Sequence, residues 1–256
     1  MTLQVNYDAV AGSYDQRTSD GSYLRDVTLA LQMLARQINA GRVLDMGCGT
    51  GRSLVGLAGQ VHAFGLDFSA GMLRQAHRLR RDFRLVRASA PTPPLAAASF
   101  ELVTSVMSFH HFPHKEQVIR EAFRLLRPGG ALAIVNFDPA AEATRWFIYD
   151  YFPETAAIDQ ARFPAGDWLQ AQLLAAGFER VSGPLVEHVH GVVHGRAILN
   201  DYWLQKNSMS QLILLPNEAY QAGLQRIHAA LAASEAVTFE TNLQIHMWHG
   251  FKPLEC

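Results

Sequence analysis

Apolar residues in the first forty positions recur at three- and four-residue steps. Leu24, Val27, Leu31, Leu34 and Ile38 form one stripe, which predicts an amphipathic helix. Gly41 punctuates it, and Arg42–Met46 reads as a strand. From there short apolar runs (Val61–Leu66, Phe83–Val86, Phe100–Ser105, Ala131–Phe137) alternate with segments of helical spacing. Alternating strands and helices predict βαβ units, right-handed crossovers and a parallel sheet with helices on both faces. After Asp138 the alternation breaks into an aromatic-rich stretch, 139–163. Ala165–Ala176 reads as a helix ended by Gly177, and Glu179–His190 as a strand. Helical spacing returns over 195–235 with a break at Pro216, and Val237–Trp248 alternates as a last strand. An unstructured loop as long as 195–235 is uncommon, so a helical insertion is expected between the last two strands.

Composition narrows the class. The chain has 256 residues, 49% of them hydrophobic and 18% charged, with a formal net charge of −1. That describes a globular protein able to bury a full core. The balance argues against a general nucleic-acid binder, which would carry a basic excess, so no nucleic-acid partner is expected. Arg74, Arg78, Arg80, Arg81, Arg84 and Arg87 are a local exception, most simply read as a solvated helix face. Two cysteines, Cys48 and Cys256, build neither a zinc cluster nor a disulfide framework, and their scarcity fits a cytoplasmic location. No signal peptide and no membrane span are expected. His188, His190 and His194, with His246 and His249, lack the carboxylate or cysteine spacing of a zinc site, so no metal is expected.

The candidate chemistry begins at Val43-Leu44-Asp45-Met46-Gly47-Cys48-Gly49-Thr50-Gly51. A strand runs into a glycine-rich turn, and a helix carrying Leu54, Val55 and Leu57 follows. The turn lies at the carboxyl end of the first strand, where open α/β sheets bind ligands. A dinucleotide fingerprint needs G-x-G-x-x-G, but here Arg52 stands where its third glycine would fall. Asp45 also puts a carboxylate in the turn, which would repel a pyrophosphate and could accept from a cationic ligand.

This segment resembles the first motif of class I S-adenosylmethionine-dependent methyltransferases, D/E-x-G-x-G-x-G. Other features of that family follow in order. Gly65-Leu66-Asp67-Phe68-Ser69 through Met72-Leu73 is similar to the second motif, its acid 22 residues after Asp45. Ser99-Phe100-Glu101-Leu102-Val103 resembles the entry to the fourth strand, His110-His111-Phe112 the step after it, and Leu125-Leu126-Arg127-Pro128-Gly129-Gly130 the turn before the fifth. Tyr7-Asp8-Ala9-Val10-Ala11-Gly12-Ser13-Tyr14-Asp15 is close to the family's N-terminal Y-D-x-x-A-x-x-Y-D.

The resemblance implies a Rossmann-like seven-stranded sheet in a single domain spanning 1–256. It divides into an N-terminal helical lid at 1–39, a cofactor-binding core at 40–138, and candidate substrate caps at 139–164 and 195–235. S-adenosylmethionine is the implied cofactor. Gly47, Gly49 and Gly51 would pass its methionine end, Asp45 its amino group, and Asp67 the ribose hydroxyls. Phe68 and Met72 would line the adenine, and Tyr14, Arg17 and Ser105 would complete the cofactor contacts. Ser89 stands where the family usually has an acid, so the adenine amino group would meet either that hydroxyl, without charge assistance, or the Ala90 backbone. His110 or His111 could take a proton from the acceptor. Trp146, Tyr149, Tyr151, Tyr202 and Trp203 offer flat apolar walls with polar tips for a small, partly apolar acceptor. The ubiquinone-biosynthesis-like branch of the family points the same way. Methylation of RNA or protein, and cofactor binding without catalysis, are the alternatives.

Overall fold

The computed structural model describes residues 5–18, 24–59 and 61–254, apart from the side chains of Arg17 and Thr18. The chain divides into two compact units. The larger comprises Tyr7–Asn136, Pro164–Glu187 and Ile245–Cys256; the smaller comprises Met1–Asn6, Phe137–Phe163 and His188–Gln244.

The larger unit is built on a parallel sheet. Its strands are β1 (Arg42–Met46), β2 (His62–Asp67), β3 (Arg84–Arg87), β4 (Phe100–Val106) and β5 (Leu126–Phe137). Two later strands, β7 (Glu179–Ser182) and β9 (Thr238–Phe251), add to it. The order is β3-β2-β1-β4-β5-β9, with β7 antiparallel to the second half of β9 through Glu179–Phe251 and Ser182–His249. Strand order reverses between β1 and β4, the switch point where such sheets open a crevice. The edge strand β3 carries exposed Arg84 and Arg87 at its ends, with Leu85 and Val86 between.

Helices α1 (Tyr7–Val10), α2 (Arg25–Gln37), α3 (Arg52–Leu57), α4 (Ala70–Leu79), α5 (Lys115–Leu125) and α8 (Gly166–Ala175) complete this unit. The α2 stripe is as the sequence predicts, with Val27, Leu31 and Leu34 buried. Residues 44, 46, 66, 103, 132 and 134 alternate on one sheet face and pack with Val118, Ile119 and Ala122 of α5 and Leu169 and Leu173 of α8. Each such side chain contributes about 1.5–3 kcal/mol by leaving water. A smaller cluster lies apart from it, where Cys48, Leu54, Ala63 and Phe83 meet.

The smaller unit contains β6 (Arg145–Trp146), α6 (Phe147–Tyr151), α7 (Glu154–Gln160), α9 (Ser210–Leu214) and α10 (Asn217–Ala233). Short 3₁₀ turns span Gly195–Asn200 and Tyr202–Leu204. β6 pairs antiparallel with the first half of β9 through Arg145–Asn242 and Trp146–Thr241. Phe152 is fully buried and stacks on Tyr220 at 5.7 Å between ring centroids. A side chain at Gly223 of α10 would drive its Cβ to 2.1 Å from the Phe152 ring, which is why the helix tolerates a glycine there. The predicted strand over 179–190 is two strands, β7 and β8 (Leu185–His194), because Gly183-Pro184 interrupts it. The sheet thus has more strands than seven, while the α/β class is the one expected. Among the described residues no helix is long and apolar enough to cross a membrane.

Candidate active site

The glycine turn is fixed from below. Gly47 has φ +77°, and a Cβ there would lie 2.7 Å from the Ser108 side chain. Ser108 in turn donates to the Met46 carbonyl at 3.0 Å and hydrogen-bonds Ser105 at 2.8 Å. The turn after β4 is therefore bolted to the end of β1. Gly49 differs: at φ +53° nothing lies within 4 Å of its ideal Cβ, so it serves backbone conformation and leaves one side open.

Two carboxylates anchor this turn. Asp67, at the end of β2, accepts from the Gly49 N–H at 2.9 Å and the Ser69 N–H at 2.8 Å. Burial raises its pKa against the opposing pull of those amides. Asp45 is almost wholly buried and accepts from Ser53 at 2.5 Å and Thr104 at 2.8 Å. Burial pushes its pKa up to about 7, against the pull of those two hydroxyls and with help from the nearby Asp67 charge. The sequence pattern singles out Asp45 for a ligand amine; within the protein it ties β1 to α3 and β4. Cys48 is buried against Gly65, and burial raises its thiol well above the ordinary range.

The N-terminal segment docks onto the same end of the sheet. Asp8 accepts from the Gly71 N–H at 2.5 Å and the Ser69 hydroxyl at 2.9 Å, at the first turn of α4. Those donors hold its pKa below the usual carboxylate value, as a helix N-terminus should. Asp15 accepts from the Thr50 hydroxyl at 2.7 Å and Arg52 Nε at 2.9 Å, across the glycine turn. The Tyr7 hydroxyl hydrogen-bonds His111 Nε2 at 2.6 Å, and its ring meets Tyr14 edge-on at 5.9 Å. The Arg17 side chain lies outside the described residues.

His110 is buried beside His111, ring centroids 3.9 Å apart, in the 3₁₀ turn Phe109–His111 after β4. Met72 and Ala90 are buried, Ser89 is half-buried, and Phe68 is 64% exposed with the Arg87 guanidinium 6.0 Å from its ring. One unit thus brings together Tyr14, Asp45, the three glycines, Asp67, Ser105 and the two histidines.

The predicted acceptor residues lie in the smaller unit. Trp146 is buried against Tyr149, with ring centroids 5.4 Å apart. The Tyr149 hydroxyl donates to Asp159 at 2.9 Å, and Asp159 pairs with Arg162 at 2.7 Å. Burial raises the Tyr149 pKa and pushes Asp159 up to about 6, Arg162 opposing the latter. Tyr151, Tyr202 and Trp203 are half-buried. Among the described residues no three His, Cys, Asp or Glu side chains gather as a metal would need.

Sequence reasoning missed Ser53, Thr104 and Ser108, because a serine or threonine in a strand or helix start carries no distinguishing pattern. Asp8 and Asp15 were visible within the Y-D…Y-D repeat, but their partners, 63 and 35 residues away, were not.

Comparison with known proteins sets this chain beside methyltransferases. Residues 44–134 match a family described as a methyltransferase domain. The chain is 28% identical over 183 residues to a demethylmenaquinone methyltransferase of Thermus thermophilus, covering 60% of this chain and 79% of that one. It is 38% identical over 104 residues to a 27-O-demethylrifamycin SV methyltransferase of Amycolatopsis mediterranei, covering 38% of each. The fold is shared with a methyltransferase from an antibiotic biosynthesis pathway of Anabaena variabilis. That match has TM-score 0.67 and 22% identity and covers 88% of this chain and 96% of that one. The glycine turn and Asp67 lie within the residues that match this methyltransferase domain family. The chain spans 79% of the length of the first of these relatives and 38% of the second.

The residues present suit S-adenosylmethionine. Gly49 leaves an open face, and Asp67 offers a carboxylate already oriented by two backbone N–H groups.

Proposed function

We propose that the protein methylates a small, partly apolar acceptor bearing an ionisable or nucleophilic group. The observation that carries this reading is the docking of the N-terminal segment. Asp8, Asp15 and Tyr7 tie it to the start of α4, the glycine turn and the turn after β4, closing protein around the end of the sheet where the cofactor belongs. Such closure suits a reaction that needs alignment and exclusion of water. S-adenosylmethionine supplies a methyl group on a sulfonium, open to in-line attack. Asp67 would accept from the ribose hydroxyls, and Phe68 and Met72 would flank the adenine, with Ser89 and Ala90 near its amino group. Tyr14, and Arg17 by the family resemblance, would serve the carboxylate end. His110 or His111 would receive the acceptor's proton.

The acceptor class draws support from the aromatic side chains at Trp146, Tyr149, Tyr151, Tyr202 and Trp203, and from relatives named for a demethylmenaquinone and a rifamycin. The scarcity of cysteine supports a cytoplasmic setting. Calorimetric titration with S-adenosylmethionine tests the premise, and absence of binding by the intact protein would sink it. Incubation with labelled S-adenosylmethionine and a small-metabolite extract, against tRNA and protein, tests the acceptor class. Label in the metabolite fraction supports the reading; label confined to tRNA or protein overturns it.

A further inference from the structure

The last residue of β5 within the larger unit is Asn136. Alternation along β5 puts it on the face of Leu132 and Ile134, which pack into the main core. Its side chain has no exposure to solvent, yet neither its Nδ2 nor its Oδ1 finds a hydrogen-bond partner among the described residues. A buried amide with neither group engaged weakens a fold, and leucine, with the same branched outline, would not. Its position gives the amide a task. β4 and β5 run in register from Ser105–Ile134 to Val106–Val135, and the Met107 N–H donates to the Val135 carbonyl at 2.9 Å. Asn136 follows that last link directly, at the carboxyl end of the sheet where ligands bind. The turn carrying Ser108, His110 and His111 leaves the neighbouring strand at the same level.

We propose that the Asn136 carboxamide is the recognition point for the methyl acceptor, and that it reads a donor and an acceptor side by side: a hydroxyl with a second hydroxyl or a carbonyl on the adjacent carbon. Nδ2–H donates to one oxygen and Oδ1 accepts from the neighbouring hydroxyl. This pairing matches an amide edge, whereas a lone hydroxyl engages only half of it. Because the amide is sealed from solvent, its engagement and the exclusion of water coincide. The inference rests on the methyl-transfer reading above and adds the acceptor's recognition group to it.

The test uses the intact protein saturated with S-adenosylhomocysteine, titrated calorimetrically with 2,3-dihydroxynaphthalene and with 2-naphthol. The wild type is expected to bind the diol more tightly than the naphthol by about tenfold. Asn136→Leu is expected to lose that preference, to keep its affinity for S-adenosylhomocysteine, and to melt at a higher temperature without ligand. Asn136→Ala, which adds no bulk, should lose the preference too and covers the case in which leucine does not fold. An equal preference in wild type and variants, or no diol binding by the wild type, overturns the inference. A lower melting temperature for Asn136→Leu overturns it as well, since it would make the amide a structural group. Failure of the wild type to bind S-adenosylhomocysteine is a different result: it removes the methyl-transfer reading, and this inference falls with it.

Discussion

Asp45 shares its carboxylate between two hydroxyls, and burial sets the balance. Its folded pKa, about 7, lies above the ordinary carboxylate value of 3.8, so between those values the folded protein holds a proton that the unfolded chain has released. Stability from this group is therefore full below the lower value and is lost as pH rises toward and through 7. Asp45→Asn keeps an acceptor oxygen for one of the two hydroxyls, turns an N–H toward the other, and removes the titration. The variant should melt above the wild type at pH 8, by about 2 °C or more, with the gap closing toward pH 4. Thermal denaturation across that range checks it, and parallel melting curves would refute the assignment. Gly47 makes a sharper case: Gly47→Ala combines a positive φ with a Cβ 2.7 Å from Ser108. We expect a loss of about 1–3 kcal/mol or more, read from denaturant unfolding.

At the scale of elements, the Asp8 carboxylate caps α4 while anchoring the N-terminal segment. Asp8→Ala should raise protease cleavage within residues 7–18 and leave the sheet core protected. Because the Asp8 pKa is lowered, the anchor should hold at neutral pH and be lost only as acid protonates it. In the smaller unit, the Asp159–Arg162 pair is almost wholly buried. Arg162→Met leaves an unpaired carboxyl beside Tyr149 and should cost about 3–5 kcal/mol. Replacing both partners with apolar residues should recover most of that loss, as a double-mutant cycle by chemical denaturation would report. Long-range pairs such as Asp15 with Thr50 escape sequence reading. The βαβ alternation was legible because each strand and helix writes its own period. The glycine turn, Asp67 and the two histidines were legible because they sit in a spaced motif. Ser53, Thr104, Ser108 and the docking of Asp8 and Asp15 depend on which strands become neighbours, which no local period encodes. The break at Gly183-Pro184 was legible but was overridden by the apolar alternation on either side.

For the whole molecule, binding to the folded state alone raises stability by mass action. S-adenosylmethionine at about one hundred times its dissociation constant adds about 2.7 kcal/mol, which for a chain of this size means a rise of about 5–10 °C in melting temperature. Asp67→Ala should abolish most of that shift while leaving the unliganded melting temperature changed far less. An undiminished shift would remove Asp67 from the binding site.

The arginines at the two ends of β3 bear on behaviour in concentrated solution. An unprotected sheet edge invites a second copy to continue the ladder. If two copies met edge to edge across a two-fold axis centred between Leu85 and Val86, each Arg84 would face the other's Arg87, cation against cation. The repulsion falls on the contact that would start a filament, while the apolar pair between the arginines stays available to the protein's own packing. Arg84 and Arg87 thus oppose edge-to-edge association from two positions of a four-residue strand.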